Sequence, residues 1–210
     1  MTLDLTGWER PDRGVLFVVT GSSGTGKTTL LRAALAHVPH LAFSVSATTR
    51  PPRESERDGV DYHFLAASRF EALLAERAFL EHAEVYGNRY GTLREPVERA
   101  VAQGISVLLD IDTQGAAQVR ARWPGAVSIF VLPPSVAALE ARLRARASDP
   151  EEVIQRRVRE AHLQLQGCGE FDYLVVNDAL SAAIDQLQAV IVAELLRRRR
   201  RQSWVGRFEG

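Results

Sequence analysis

Apolar residues run along this chain in two rhythms. Short unbroken stretches at residues 15–20 (VLFVVT), 105–111 (ISVLLDI), 126–132 (AVSIFVL) and 173–176 predict strands buried on both faces. Between them apolar positions recur at helical spacing, at Val136, Leu139 and Leu143, and again at Leu180, Ile184, Leu187, Ile191 and Leu195. Ser135 after two prolines, and Asp149-Pro150-Glu151-Glu152 with acids in a first turn, mark helix starts. Strands alternating with helices predict an α/β fold, a mainly parallel sheet with helices on both faces. Two segments break the rhythm. From Ser46 to about Arg94 the chain is polar, Arg-rich and interrupted by Pro51, Pro52, Gly59, Gly87 and Gly91; from Arg142 to about Gly169 it is charged and helical, with little apolar face at its start. With no repeat and no low-complexity linker, residues 1–210 read as one folding unit. The core covers about 14–45, 95–141 and 170–200, with lobes at about 46–94 and 142–169 and a basic tail at 197–210.

Composition narrows the partners. Hydrophobic residues make up 46% and charged residues 25%, the ordinary balance of a soluble domain. Basic and acidic residues cancel at 26 each, so no global field recruits nucleic acid or membrane, and phosphate binding must come from local clusters. Cys168 is the single cysteine, which excludes an internal disulfide and suits a reducing compartment. The first dozen residues lack the basic start and apolar run of a signal peptide, and no run of about 18 apolar residues could span a bilayer. The expected location is the cytoplasm. No signal chooses between a monomer and a homo-oligomer.

The chemistry begins where the first strand ends. Gly21-Ser22-Ser23-Gly24-Thr25-Gly26-Lys27-Thr28 matches G-x-x-x-x-G-K-[ST], with a strand before it and a helical pattern after it, starting at Thr29. Its glycines let the backbone turn tightly and bring N–H groups up to phosphate oxygens, while the following helix adds the positive end of its dipole. Lys27 is placed for the β- and γ-phosphates and Thr28 for Mg²⁺. Lys27 is also the one lysine in a chain with 25 arginines. A compact ammonium on a flexible stem serves between phosphates where a planar guanidinium fits badly. Asp110, at the end of an apolar strand and followed by Asp112, is the candidate carboxylate for Mg²⁺.

Further stretches carry a family resemblance: GSSGTGKTTLL at 21–31, FSVSATTRPPRESERDGVDYHF at 43–64, FLEHAEVYGNRYGT at 79–92, LLDIDTQG at 108–115, LPPSVAALEARLRAR at 132–146 and VVND at 175–178. Over about residues 14–196 the chain resembles the guanylate kinases among the P-loop nucleoside monophosphate kinases. The 43–64 stretch is more specific than the phosphate loop alone. The resemblance implies an adenylate-kinase-like P-loop core, an inserted GMP-binding lobe and a mobile helical lid, with the γ-phosphoryl of ATP passing to GMP and to dGMP. It implies ATP binding at residues 21–29 and Asn177. Ser46, Arg50, Arg53, Tyr62 and Tyr90 are implied as holders of the GMP phosphate, and Glu81 and Thr92, with Asp112 nearby, as readers of guanine. Arg142, Arg146 and Arg157, with Lys27 and Arg50, are implied around the transferred group. Ser22 stands where proline is common and Thr92 where serine is common, and both keep the needed chemistry. Ala147-Ser148-Asp149-Pro150 replaces a more familiar Gly-Thr-rich segment.

The residues agree with these roles. Guanidiniums and tyrosine hydroxyls suit a phosphate dianion. Guanine offers two adjacent N–H donors that one carboxylate at Glu81 can accept, whereas adenine would leave that carboxylate unpaired. A phosphate monoester is already anionic near neutral pH, so no general base is required; positioning and charge neutralisation suffice.

Two other classes share parts of this pattern. A phosphopeptide-binding scaffold of the same fold has a degraded phosphate loop, and a kinase for a ribose bisphosphate need not keep Glu81 and Thr92. The arginine run at 197–201 reads as a solvated helix end, the five histidines lack metal-ligand spacing, and Trp8, Trp123 and Trp204 read as packing residues.

Overall fold

The computed structural model describes residues 7–85, 87–145 and 151–208. Its core is a five-stranded parallel sheet of β1 (Leu16–Thr20), β2 (Leu41–Phe43), β7 (Ser106–Asp110), β8 (Val127–Leu132) and β9 (Tyr173–Val176), in the order β2-β7-β1-β8-β9. Every residue of β1 is buried because alternate side chains enter different cores. Phe17 and Val19 join Leu108, Ile129 and Val131 under α1 (Lys27–His37) and α7 (Leu180–Leu195). Leu16 and Val18 join Val107 and Leu109 on the other face, under α3 (Arg94–Ala102) and α4 (Thr113–Arg122). A strand covered on both sides has no polar face, which is why the predicted strands were unbroken apolar runs.

Residues 46–94 hold elements that the hydrophobic pattern alone does not announce. Strands β3 (Ala47–Thr48), β4 (His63–Phe64), β5 (Phe79–Val85) and β6 (Asn88–Leu93) form a second sheet, ordered β4-β3-β6-β5, with α2 (Ala67–Ala75) beside it. Its small core is built on Ala47, Phe70 and Phe79, with the two phenyl rings stacked at 4.5 Å. Strand alternation ties this lobe to the main body. Phe79 turns into the lobe core while the next residue, Leu80, is buried in the main core beside Val97 and Val119. Side chains of α4 secure the same strand: Gln118 exchanges two hydrogen bonds with the His82 backbone, and Arg122 donates to the carbonyls of Phe79 and Leu80.

The second insertion is a helix pair. Helix α5 (Val136–Ala145) packs Leu139 and Leu143 against Ala161, Val158 and Leu165 of α6 (Glu151–Gln166). The boundary expected at Arg142 therefore falls inside a continuous helix. Helix α8 (Gln202–Gly206) follows the arginine run. That run is not uniformly solvated, as the sequence suggested. Arg200 is buried and bonded to the buried Glu194 at 3.1 Å, and Arg197 reaches the same carboxylate at 2.7 Å. The run is anchored because Glu194, on α7, needs a cation once it is out of water. Asp12 also accepts hydrogen bonds from Ser203, tying residues after the run to the chain before β1. Trp8 and Trp123 pack against the two faces of the core, whereas Trp204 lies between the guanidiniums of Arg201 and Arg207.

Candidate active site

The phosphate loop leaves β1 at its C-terminal end. Gly24 and Gly26 both have φ near +90° (90° and 83°), a conformation L side chains rarely adopt, and Gly26 is the N-cap of α1. No side chain caps that helix, so the N–H groups of its first turn have no side-chain acceptor. The loop is braced from inside: Thr25 Oγ1 donates to the Ser22 carbonyl at 2.9 Å, and Asn177 Nδ2 donates to the Thr25 carbonyl at 2.6 Å. Gly21, Ser22 and Thr25 are buried, while Ser23, Thr28 and Thr29 are exposed at the loop's mouth.

Lys27 bends back to the Gly21 carbonyl (3.1 Å) and pairs with Asp110 Oδ1 at 2.8 Å. The pairing follows from sheet register, because Asp110 lies opposite Val19 on the neighbouring strand. Thr28 contributes one hydroxyl and Asp110 one carboxylate. That donor set fits a Mg²⁺ that arrives on donor phosphates and keeps most of its waters. Among the described residues no group of three or more His, Cys, Asp or Glu could hold a metal ion.

Arg142 donates to the Asn177 carbonyl at 3.0 Å, which holds α5 against the loop. Together with Gly24, Gly26, Thr29, Asp178 and Leu180 these two residues line an open cleft of about 370 Å³. Arg157 is half-buried on α6, and Arg146 lies outside the described residues.

Across from the loop, the lobe collects a second group. Arg50 forms a two-pronged ion pair with Glu56, Nη1 to Oε2 at 2.9 Å and Nη2 to Oε1 at 2.8 Å, and Nη1 also donates to the Pro51 carbonyl. Its guanidinium lies 5.5 Å from the Tyr62 ring centroid, and the Tyr62 and Tyr90 rings are 6.0 Å apart. Glu56 above all raises the arginine's pKa, and Arg50 in turn holds the Glu56 carboxyl below the usual range. Glu56 and the Pro51 carbonyl fix the plane of the guanidinium, and Tyr90 also interacts with it, so a planar fork and two phenols stand together as donors that suit a phosphate. Burial above all pushes the Tyr62 hydroxyl up, and the neighbouring Tyr90 adds to that push. Ser46 is half-buried, with its carbonyl accepting from His63 N. Arg53 is the exception. Its backbone N–H donates to Glu56, but its side chain is exposed and the structure does not bring it into the cluster.

Glu81 lies deeper, 5% exposed, and accepts from Thr92 Oγ1 at 2.7 Å across the β5–β6 hairpin. Burial raises its pKa, and the negative charge of Asp112 raises it further. Among the described residues it forms no ion pair. Asp112 itself is the N-cap of α4, accepting from Gly115 N at 2.8 Å. Gly115 has a packing reason: a Cβ there would stand 3.0 Å from Glu81 Oε2. The result is a buried carboxylate acceptor beside a helix start.

Sequence reasoning did not assign roles to Glu56, Gly115, Gln118 or Arg122. Glu56 and Gly115 stand inside the quoted motifs, so position was signalled without partners; Gln118 and Arg122 carry no local signal at all.

A guanylate kinase family model matches residues 13–194. The chain is 52% identical over 186 residues to a guanylate kinase of Anaeromyxobacter dehalogenans, covering 88% of this chain and 82% of that one. It is 49% identical over 193 residues to a guanylate kinase of Neisseria meningitidis, covering 92% and 94%. A crystal structure of guanylate kinase from Anaplasma phagocytophilum superposes with a TM-score of 0.70 at 33% identity, over 90% of each chain. With a phosphate loop at one end of β1, a buried carboxylate in a separate lobe and this match over most of its length, the chain belongs to the guanylate kinase family.

Proposed function

We propose that this protein transfers the γ-phosphoryl group of ATP to GMP, and to dGMP, giving ADP and the nucleoside diphosphate. The observation that carries the reading is Glu81: a carboxylate taken out of water, bonded to Thr92 and in no ion pair among the described residues. Such a group is costly unless a ligand completes it, and guanine's N1–H and exocyclic N–H form the matching pair. Adenine has no such pair at that edge, which supports discrimination against AMP.

The donor nucleotide lies along the loop, its phosphates against backbone N–H groups and its base in the cleft beside Asn177. Lys27 leaves Asp110 to neutralise the β- and γ-phosphates. Thr28 and Asp110 would hold Mg²⁺, which would supply charge neutralisation of the donor phosphates. Arg50, with Tyr62 and Tyr90, grips the acceptor phosphate and points its oxygen toward the γ-phosphorus. That oxygen is already ionised, so no side chain removes a proton. Arg142 and Arg157, with Arg146, balance charge as it moves from donor to acceptor. Closure of the helix pair excludes water, which would otherwise compete as acceptor.

A coupled assay of ADP release with GMP, dGMP, AMP and no acceptor tests the proposal. Turnover confined to the two guanine nucleotides is expected. Silence with all four would point to a binding module, and equal rates with AMP would remove the role of Glu81.

A further inference from the structure

Positive charge also collects at the far end of the core sheet, away from the phosphate loop. Arg13, Arg94, Arg122, Arg199 and Arg200 line a groove of about 710 Å³, walled on one side by Trp123 and containing one carboxylate, Glu98. The groove borders the residues just before β1 and β8, so the length of β1 separates it from the loop, about 17 Å at the usual rise of about 3.3 Å per residue. In a chain whose charges cancel, this concentration is local.

Little in the protein neutralises it. Glu98 pairs with Arg94 at 3.6 Å. Arg122 donates hydrogen bonds to two backbone carbonyls, those of Phe79 and Leu80. Arg13 and Arg199 are exposed and have no partner among the described residues. Arg200 is 8% exposed, its Nε has no acceptor, and it shares Glu194 with Arg197. Burial above all lowers the pKa of Arg200; Glu194 opposes that shift and the charge of Arg199 adds to it. Two adjacent guanidiniums thus repel each other at the groove, with one of them desolvated.

We propose that this groove is a second anion site, for a phosphate-bearing small molecule of nucleotide size held by Arg13, Arg122 and Arg199 beside the Trp123 ring. Guanidinium forks match phosphate oxygens, an anion relieves the Arg199–Arg200 repulsion, and the indole offers a face or edge to a flat apolar group. The volume lies within the usual ligand-pocket range of roughly 300–1,000 Å³. The five arginines line a single groove, which favours a compact polyphosphate over a nucleic-acid strand.

Calorimetric titration with inorganic tripolyphosphate tests the site. The phosphate loop also binds this probe, so the titration starts from the full-length Lys27→Ala variant, in which loop binding is weakened. One-to-one binding should remain, and adding Arg13→Ala and Arg199→Ala should weaken it at least tenfold. The double change in the otherwise wild-type protein should leave basal phosphoryl transfer unaltered, since neither residue belongs to the candidate active site. Both side chains are exposed, and circular dichroism checks that the variants fold. Absence of binding to Lys27→Ala would overturn the proposal. So would binding indifferent to the two arginine changes, or tighter arginine-dependent binding of a single-stranded RNA oligomer than of tripolyphosphate.

Discussion

On the proposed function, the glycine-rich loop and the inserted lobe hold phosphate by different means. The loop uses main chain: Gly24 and Gly26 in the left-handed region, an uncapped helix start and one ammonium. Its specificity is for shape and charge, and little in it depends on side chains from elsewhere apart from Asn177 and Asp110. The lobe uses side chains from separate elements, each held by another: Arg50 by Glu56, Glu81 by Thr92, and Asp112 at the start of α4. Backbone recognition is compact and generic; side-chain recognition is dispersed and selective. Changes at the loop should therefore abolish turnover for every acceptor, whereas changes in the lobe should alter which acceptor is used and how tightly.

The largest effect is expected at the loop. Lys27→Ala should cut kcat at least a hundredfold with GMP and dGMP alike, with unchanged thermal unfolding, because it removes a charge that acts on the transferring group. Steady-state kinetics beside a melting curve checks this, and near-normal turnover would break the contrast. In the lobe, Glu81→Gln should lower kcat/KM for GMP by roughly a hundredfold and narrow the gap to AMP, since one N–H of guanine then meets an amide donor. A uniform loss for all acceptors would mean that Glu81 acts on the fold rather than on the base. Glu56→Gln should do less, raising KM for GMP about tenfold with a smaller change in kcat, because Arg50 keeps its charge and loses only its orientation. An equal fall in kcat and in kcat/KM would instead assign the pair to the transition state.

The smallest effect concerns pH, and its sign is opposite for stability and for binding. The folded-state pKa of Glu81 is raised, so protonation favours the fold. That contribution is complete below the unfolded pKa and is lost as pH rises through the folded one. Melting temperatures should therefore show the wild type losing ground to Glu81→Gln as pH climbs out of the ordinary glutamate range. On the proposed function GMP binding uses the ionised carboxylate, so KM for GMP should rise on acidification over the same interval in the wild type and not in Glu81→Gln.

The same contrast explains how much of each region was legible. The phosphate loop is contiguous, so spacing alone reported Gly21, Gly26, Lys27 and Thr28. Asp110 was visible as the end of an apolar run, but its contact with Lys27 depends on which strands are neighbours. In the lobe, Arg50, Tyr62, Glu81 and Tyr90 were found through resemblance rather than periodicity. Strands of two residues, such as Ala47–Thr48 and His63–Phe64, are too short to show alternation. The arginine run misled for the same reason: composition describes its charge and says nothing of a buried glutamate one helical turn back.

Burial on both faces and tight glycine-dependent turns leave marks in neighbouring residues, so the parallel core, the phosphate loop and the two inserted segments could be read directly from the amino-acid order. Partnerships between distant residues leave no such mark. Only the tertiary structure decided that Leu80 and Phe79 enter different cores, that Glu56 occupies one side of Arg50, that Gly115 makes room for Glu81, and that Arg200 is drawn in by Glu194. Each of these is settled by which surfaces meet when the chain folds, a long-range competition for burial and charge that local sequence does not encode.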